Sequence, residues 1–274
     1  RAKNNNKGRP VVNIISIANQ KGGVGKTTIS VNLCASLAAY KKRVLLIDLD
    51  PQGNGTMGSG INKQDCDINV YHVLTGKNSI EKAVYSSDAG KYDVLPANRD
   101  LVAAEVELMK EIGRESRLKL ALEDVSNDYD YIVIDCPPTL NMLTVNALVA
   151  SKGVIIPMQC EYFALEGLAD LNNTIKQISK LINPTLHIQG ILRTMYDPRS
   201  SLTNAVTAQL RKYFGDRVYR VRIPRNVRLA EAPSHGLPAL MYDRNSKGSL
   251  AYLALAGEIL RIEKAHKLKQ TVKA

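Results

Sequence analysis

Apolar and polar positions along the chain alternate between short apolar runs and longer stretches with helical spacing. Runs rich in Val and Ile, such as VVNIISIA (11–18) and RVLLID (43–48), are typical of strands buried on both faces. Between them, TTISVNLCASLAAY (27–40) places apolar residues three or four positions apart, as does a helix packed on a sheet. This alternation predicts repeated βαβ units.

The same alternation continues toward the C-terminus. Further strands are predicted at YDVLPA, YIVID, GVIIPM and HIQGILRTM, and further helices at RDLVAAEVELMKEI, RLKLALEDV and 164–181. Strands that alternate with helices of this length form parallel sheets covered on both faces. We predict an α/β fold with a doubly wound, mostly parallel sheet. Residues 1–10 are predicted to be a flexible basic arm, 11–262 a single domain and 263–274 a basic tail.

A glycine-rich loop, NQKGGVGKTT, lies between the first predicted strand and helix. Its second half matches the phosphate-binding pattern G-x-x-x-x-G-K-[ST], but Gln20 stands where the first glycine belongs, and a second lysine follows it. Glycines let backbone N–H groups approach phosphate oxygens, and the helix N-terminus adds its positive dipole end. We therefore predict a nucleotide site. Its loop residues are Lys21, Gly22, Gly23, Val24, Gly25, Lys26, Thr27 and Thr28.

Carboxylates follow two of the predicted strands. Asp135 ends YIVID, where a carboxylate lies beside the phosphate loop and can hold Mg²⁺ through water, with the Thr27 hydroxyl as a second ligand. The stretch LLIDLDPQGN contains Asp48 and Asp50. Asp50 lies beyond the strand and is the favoured residue to orient an attacking water. For Asp48, support of the metal site and support of the loop are both left open, with turn chemistry around residues 51–54 as the alternative.

Charge and cysteine usage bound the partners. The chain carries 37 Lys and Arg against 26 Asp and Glu, a formal charge of +11, although much of the excess lies at its two ends. An anionic partner is favoured. The four cysteines form no C-x-x-C pair, so buried reduced thiols in a cytoplasmic protein are favoured over disulfides or a zinc site. No apolar run is long enough to span a bilayer, and no membrane partner is expected.

Five motifs resemble those of the ParA/Soj chromosome-partitioning ATPases, in the deviant Walker A (MinD/ParA) class of P-loop NTPases. They are KGGVGKTT, IDLDPQGN, YIVIDCPP, QCEYFALEGL and IPRNVRLAEAPSHG, and the resemblance runs from Val12 to about Leu260. It implies a Mg²⁺-dependent ATPase with slow basal turnover that forms a homodimer when ATP is bound. The residues it implies for catalysis are Lys21, Lys26, Asp50 and Asp135, and those it implies over the adenine are Pro224 and Asn226.

In that class the extra lysine, here Lys21, reaches phosphates on the opposite subunit. Two facing ATP molecules bring negative charge into one seam, which such a lysine offsets. The resemblance also implies that the dimer binds non-specific double-stranded DNA on the nucleoid and that a ParB-type centromere-binding protein stimulates hydrolysis. The segment EDVSNDYD (123–130) is one acidic candidate for contact with a basic activator. Candidate DNA contacts are Arg199, Arg228, Arg225, Lys212, Arg222 and Lys247, and also Arg217 and Arg220.

Two departures and three alternatives accompany this interpretation. Pro198 precedes Arg199 where relatives usually carry a small residue, and Gly55 stands where Ala is usual. A MinD-like, membrane-associated positioning ATPase would share the core, but the tail after Leu260 has few apolar residues and no aromatic one. An iron–sulfur relative would need cluster-bridging cysteines. A binding module without turnover would not need the lysine and carboxylates described above.

Overall fold

The computed structural model describes residues 12–161 and 164–271, which contain one eight-stranded sheet. In chain order its strands are β1 (Asn13–Ile17), β2 (Val44–Asp48), β3 (Tyr85–Ser87), β4 (Tyr92–Leu95), β5 (Tyr131–Asp135), β6 (Gly153–Gln159), β7 (His187–Tyr196) and β8 (Val218–Pro224). Their spatial order is β3-β4-β2-β5-β1-β6-β7-β8, and every pair except β3–β4 is parallel. The predicted doubly wound, mostly parallel sheet is confirmed.

Helices connect the strands and cover the sheet. They are α1 (Lys26–Ala39), α2 (Asn54–Gly58), α3 (Val70–Leu74), α4 (Ile80–Ala83), α5 (Leu101–Leu108), α6 (Arg117–Glu123), α7 (Met142–Ala150), α8 (Ala164–Leu181), α9 (Ser201–Phe214), α10 (Val227–Glu231), α11 (Ala239–Tyr242) and α12 (Lys247–Thr271). Local sequence sets several of the starts: the Ser200 side chain accepts the Thr203 N–H at the start of α9, as an N-cap should.

The strands are apolar on both faces because helices cover both. In β2, Val44 and Leu46 pack with α1 and α12, whereas Leu45 and Ile47 pack with the helices on the other face, including α5 and α7. The same alternation by two occurs in β5. This is why these strands are continuous apolar runs rather than alternating ones.

β3 and β8 are not among the predicted strands, and both lie at sheet edges. β3 has only three residues, too few for a periodic signal. β8 reads VYRVRIP because Tyr219, Val221 and Ile223 pack on the α12 face, whereas Arg220 and Arg222 point away from it and are exposed. A strand covered on one face alternates apolar and polar residues, so a search for continuous apolar runs does not detect it.

The C-terminal helix runs past the predicted domain end. α12 is 25 residues long and continues through position 262, and its Glu263 accepts hydrogen bonds from Asn13 and Tyr131. The division into arm, domain and tail therefore stays a prediction, with its second boundary inside a helix and the arm outside the described residues. All four cysteines are buried and free of disulfides. Among the described residues, no helix is both long and apolar enough to cross a membrane.

The sheet brings its central carboxyl ends together. β5 lies between β1 and β2, and Asp135 is the register partner of both Ile17 and Asp48. The glycine loop leaves β1 at the same edge. We call this the carboxyl edge: the ends of β1, β2 and β5 and the loops that leave them. A crevice at this edge is where parallel α/β sheets bind ligands.

Candidate active site

The glycine loop is shaped as an open cradle. Gly23 and Gly25 have φ of +72° and +90°, a backbone region that favours glycine. A Cβ built on Gly22, Gly23 or Gly25 would have no described atom within 4 Å, so the loop encloses free space. α1 begins directly after it at Lys26, and the first N–H groups of a helix lack partners within it. Loop and helix together form an anion site.

The Lys26 side chain bends back from the start of α1 over the glycine loop. The residue is 8% exposed, and its Nζ donates to the Lys21 carbonyl over 3.1 Å. Burial lowers the pKa of the Lys26 ammonium, while the negative charges of Asp135 and Asp50 act in the opposite direction. The lysine is thus held by weak local contacts in a place where an anion would stabilise it.

Asp135 is completely buried and incompletely satisfied. Its Oδ1 accepts the Ser30 hydroxyl at 2.9 Å, and within the described part of the chain its Oδ2 has no hydrogen-bond partner. Burial and the neighbouring Asp48 raise the pKa of this carboxyl, and hydrogen bonds from Thr27 and Ser30 counteract the rise. A carboxylate oxygen without a partner next to a threonine hydroxyl suits Mg²⁺, which takes oxygen ligands and keeps waters. The donor set therefore fits the predicted metal.

Asp48 is also buried, but both of its carboxylate oxygens accept hydrogen bonds, all from residues 50–56. Its Oδ2 accepts both the N–H and the hydroxyl of Thr56, at 2.8 and 2.9 Å, and its Oδ1 accepts the Asp50 N–H at 3.1 Å. The Thr56 hydroxyl oxygen in turn accepts the Ala97 N–H. A Cβ on Gly55 would lie 3.0 Å from Asp48 Oδ2 and 3.4 Å from Asp135 Oδ2. Asp48 anchors the loop that follows β2 to the start of α2, which agrees with the loop-supporting role left open for it.

Asp50 is half-buried at the carboxyl edge. Its Oδ1 accepts the Gln52 N–H at 2.9 Å, and its charge acts on both Lys26 and Asp135. The structure thus brings together the loop, Lys26, Asp50 and Asp135 as the motifs predicted. Their individual catalytic roles stay predictions.

A cavity of ≈460 Å³ adjoins the cradle. Pro224 and Asn226 line it, as the adenine prediction requires, and so does Arg225, which was predicted to contact DNA. Met195, which was not predicted, also lines it with a φ of +47°, a strained value for a non-glycine residue. The other lining residues are Val24, Gly25, Thr28, Thr194, Ile223, Val227, Leu229, Ala230 and Tyr252.

Thr194 ties this cavity to the cradle, because its hydroxyl donates to the Val24 carbonyl over 3.0 Å. Thr194 and Met195 lie at the end of β7, outside every recognised motif. Their one sequence signal is position: the carboxyl end of a strand on the same side of the sheet as the glycine loop.

The two leading DNA candidates are engaged by carboxylates. The Arg199 guanidinium forms two 3.0 Å hydrogen bonds to the carboxylate of Asp197, which also accepts the Arg199 N–H, and Arg228 pairs with Glu231 and Asp243. The other basic candidates are exposed: Lys212 in α9, Arg217 before β8, Arg220 and Arg222 in β8, Arg225 after it, and Lys247 at the start of α12.

The acidic segment 123–130 lies far from this edge. It precedes β5, so it is at the amino end of a strand whose carboxyl end carries Asp135. One of its carboxylates, Asp130, is paired with Arg43. The segment does not form a groove beside the nucleotide cradle.

The sequence matches the protein family described as "AAA domain" over residues 12–188. The sporulation initiation inhibitor protein Soj of Bacillus subtilis is 54% identical over 246 residues, covering 90% of this chain and 97% of that protein. The chromosome partitioning protein ParA of Myxococcus xanthus is 48% identical over 248 residues, covering 90% and 88%. The chain belongs to the ParA/Soj family.

A solved structure supports the assignment of the ligands. Cobyrinic acid a,c-diamide synthase from Mycobacterium smegmatis, with bound ATP analogue and magnesium, is 36% identical, with a TM-score of 0.82 over 93% of this chain and 97% of that one. The synthase activity is that protein's. This ParA/Soj protein is an ATPase that uses ATP and Mg²⁺. Its cradle, Lys26 and the Thr27–Asp135 pair supply the groups such a ligand needs.

Proposed function

We propose that this ParA/Soj ATPase segregates DNA in the cytoplasm. ATP binding joins two copies through their carboxyl edges, and the dimer binds non-specific duplex DNA of the nucleoid. A ParB-type centromere-binding partner stimulates hydrolysis, which separates the dimer and releases the DNA. The relatives named for chromosome partitioning support this proposal.

The position of Lys21 carries the proposal. Lys26, from inside the cradle, is the lysine placed for phosphates bound to its own chain. The Lys21 side chain is 46% exposed and directed outward, where its Nζ meets Glu161 Oε2 at 2.5 Å. An ion pair this exposed is worth little and exchanges easily. Lys21 is thus a cation at the mouth of the cradle, available to the phosphates of a nucleotide on a second copy.

The remaining site residues have distinct proposed tasks. Lys26 and the loop N–H groups hold the phosphates, and Thr27 and Asp135 hold Mg²⁺, Asp135 through water. When bound, Mg²⁺ neutralises charge on the β- and γ-phosphates. Asp50 orients the attacking water, while Asp48 fixes the backbone of the loop that carries Asp50.

Fluorescence polarisation of a non-specific DNA duplex tests this function. It compares ADP, ATP and a slowly hydrolysed ATP analogue across a salt series. We expect binding with a steep salt dependence only with the triphosphates, because dimerisation doubles the phosphate contacts. Lys21→Ala should keep nucleotide binding but lose dimerisation and DNA affinity. The matched change Lys119→Ala, at an exposed lysine of α6, should keep nucleotide binding, dimerisation and DNA affinity.

Binding that is absent with every nucleotide, or equal with ADP and ATP, would contradict the proposal. A parallel sedimentation assay with anionic phospholipid vesicles covers the MinD-like alternative. ATP-dependent binding to vesicles without binding to DNA would favour that alternative. Retained DNA affinity and dimerisation in Lys21→Ala would remove this lysine from the dimer seam.

A further inference from the structure

Glu105 is a half-buried carboxylate in α5 to which no role has been assigned above. Its Oε1 accepts a hydrogen bond from the side-chain amide of Asn141 at 2.7 Å. Burial raises the pKa of this carboxyl, and the hydrogen bond from Asn141 acts in the opposite direction. In the described part of the chain Glu105 forms no ion pair, unlike Glu107 of the same helix, which pairs with Lys77. A carboxylate partly buried against one neutral donor contributes little to stability, so stability alone does not explain its placement.

Asn141 joins this carboxylate to the start of α7. Its Oδ1 accepts the Thr144 N–H at 3.1 Å as the N-cap of that helix, while its amide nitrogen donates to Glu105. The Thr144 hydroxyl donates to the Thr139 carbonyl at 2.6 Å and closes the turn before the helix. One asparagine thus uses its acceptor for α7 and its donor for α5, and the two bonds together fix its orientation.

The segment that ends at Asn141 is the loop 136–141, which follows Asp135 at the carboxyl edge. Its first residue is held by the sheet, because the Cys136 N–H donates to the Ile17 carbonyl at 3.2 Å. Positions 137 and 138 are prolines, which have no N–H and a restricted φ. The exposed residues 139 and 140 supply the next backbone N–H groups at this edge. Their position depends on both ends of the loop, the sheet at one and Asn141 at the other.

The rest of α7 is held by contacts that do not involve Glu105. Leu143 and Ala147 are buried in the core. Asn146 accepts the Leu118 N–H at 3.1 Å and donates to the Arg114 carbonyl at 2.8 Å. The bond between Glu105 and Asn141 therefore adds little to the position of the helix, and its main effect is on the loop that leads into it.

We infer that Glu105 is a positioning residue for ATP hydrolysis, which acts through Asn141 to hold the loop 136–141 at the carboxyl edge. This inference rests on the ATPase activity and on the role proposed for Asp135, and it is independent of DNA binding. Glu105 acts on the reaction through the backbone rather than by contact with phosphate. A small displacement of groups around the reacting atoms slows the chemical step and can leave binding intact. The expected signature is a lower kcat with unchanged nucleotide affinity.

An exchange of donor and acceptor between the two side chains tests this link. Asn141→Asp keeps the cap on α7, because aspartate is an equally good N-cap, but it places a second carboxylate against Glu105. At pH 8, where both carboxylates are charged, we expect kcat to fall roughly ten-fold with nucleotide affinity unchanged. In the double variant Glu105→Gln with Asn141→Asp, the glutamine amide donates to the aspartate, so the bond returns in the reverse direction at the same net charge. This variant should recover most of the lost kcat.

Glu107→Gln is the matched control, because Glu107 lies in the same helix and accepts the Tyr71 hydroxyl of α3 at 2.8 Å. It should leave kcat and nucleotide affinity unchanged. Hydrogen exchange of residues 139–146 in the protein without nucleotide gives a readout that does not depend on hydrolysis. Exchange should be faster in Asn141→Asp than in the wild-type protein, and slower again in the double variant.

Three results would overturn the inference. The first is a wild-type kcat in Asn141→Asp, and the second is a double variant no faster than Asn141→Asp alone. The third is a joint fall of kcat, nucleotide affinity and unfolding temperature in Asn141→Asp, which would mean that the bond serves the fold. A wild-type protein that hydrolyses ATP but binds no DNA would instead contradict the proposed function and leave this inference intact.

Discussion

The centre of the carboxyl edge and the basic surface of this protein differ in how their charges are held. Lys26, Asp48 and Asp135 are buried, and backbone and side-chain groups from several elements fix them. Arg199 and Arg228 are exposed, and each is paired with exposed or half-buried carboxylates, Arg199 with Asp197 and Arg228 with Glu231 and Asp243. The centre is organised before its ligand arrives, whereas the surface must exchange internal partners for external ones.

This difference predicts how steeply each region responds to substitution. Removing a buried group leaves its neighbours unsatisfied, so effects at the centre should be large and specific. Removing an exposed charge changes an interaction that water and salt already weaken. The predictions below test this difference, beginning with substitutions in the buried centre and ending with one on the exposed surface.

Lys26→Ala should have the largest effect. The glycine loop loses the cation that contacts the phosphates of a nucleotide bound to the same chain. We expect nucleotide affinity to fall by about 100-fold or more, as for a lost charge-assisted contact. Titration with a fluorescent ATP analogue measures it. The fold should not suffer, because this lysine is buried at a cost, which thermal unfolding checks. Lys119→Ala, at an exposed lysine of α6, is the control, and an equal loss there would contradict the assignment.

Asp135→Asn should lower the rate of ATP hydrolysis and at the same time stabilise the fold. Mg²⁺-dependent ATP hydrolysis should fall by about 10- to 100-fold, as when a group that orients a metal's ligands is lost. The free energy of unfolding without nucleotide should rise by about 1 kcal/mol, because a buried charge with an unpartnered oxygen is removed. Chemical denaturation measures the second quantity. Asp50→Asn, at a half-buried site, should not stabilise the fold, and a destabilised Asp135→Asn protein would contradict this explanation.

Asp135 was predictable from sequence because strand, loop and motif share one geometry. Four apolar residues precede it, so its place at a strand's carboxyl end follows from the pattern alone. The link between Asp48 and Thr56 joins the end of β2 to the short helix α2, eight residues further on, and no periodic signal encodes it. Thr194 and Met195 lie in a predicted strand, but their roles depend on β8 and the glycine loop, which are distant in sequence. Sequence motifs therefore specify the centre, and tertiary packing specifies its supports.

Thr56→Val tests one such support and should have an intermediate effect. It deletes the hydroxyl bond to Asp48 and the acceptor for Ala97 N–H, while the Thr56 N–H still reaches Asp48. We expect kcat to fall roughly ten-fold with nucleotide affinity unchanged, because the loop carrying Asp50 loosens. Steady-state kinetics with parallel nucleotide titration measure both. Thr174→Val, whose hydroxyl donates to the Asp170 carbonyl within α8, is the control. Equal losses of kcat and affinity would indicate general misfolding instead.

Asp197→Asn should have the smallest effect, and it works in the opposite direction. The Asp197 carboxylate accepts two hydrogen bonds from the Arg199 guanidinium and one from the Arg199 N–H, and the pair is exposed, so its loss should leave the thermal unfolding temperature nearly unchanged. Arg199 is then released for phosphate, and DNA affinity of the ATP-bound protein should rise a few-fold, with a steeper salt dependence. Asp216→Asn removes the same charge from an exposed position between α9 and β8. If both variants raise affinity equally, net charge accounts for the gain. A larger gain in Asp197→Asn, lost again when Arg199 is also replaced by Ala, would show that the arginine itself moves from its internal partner to DNA.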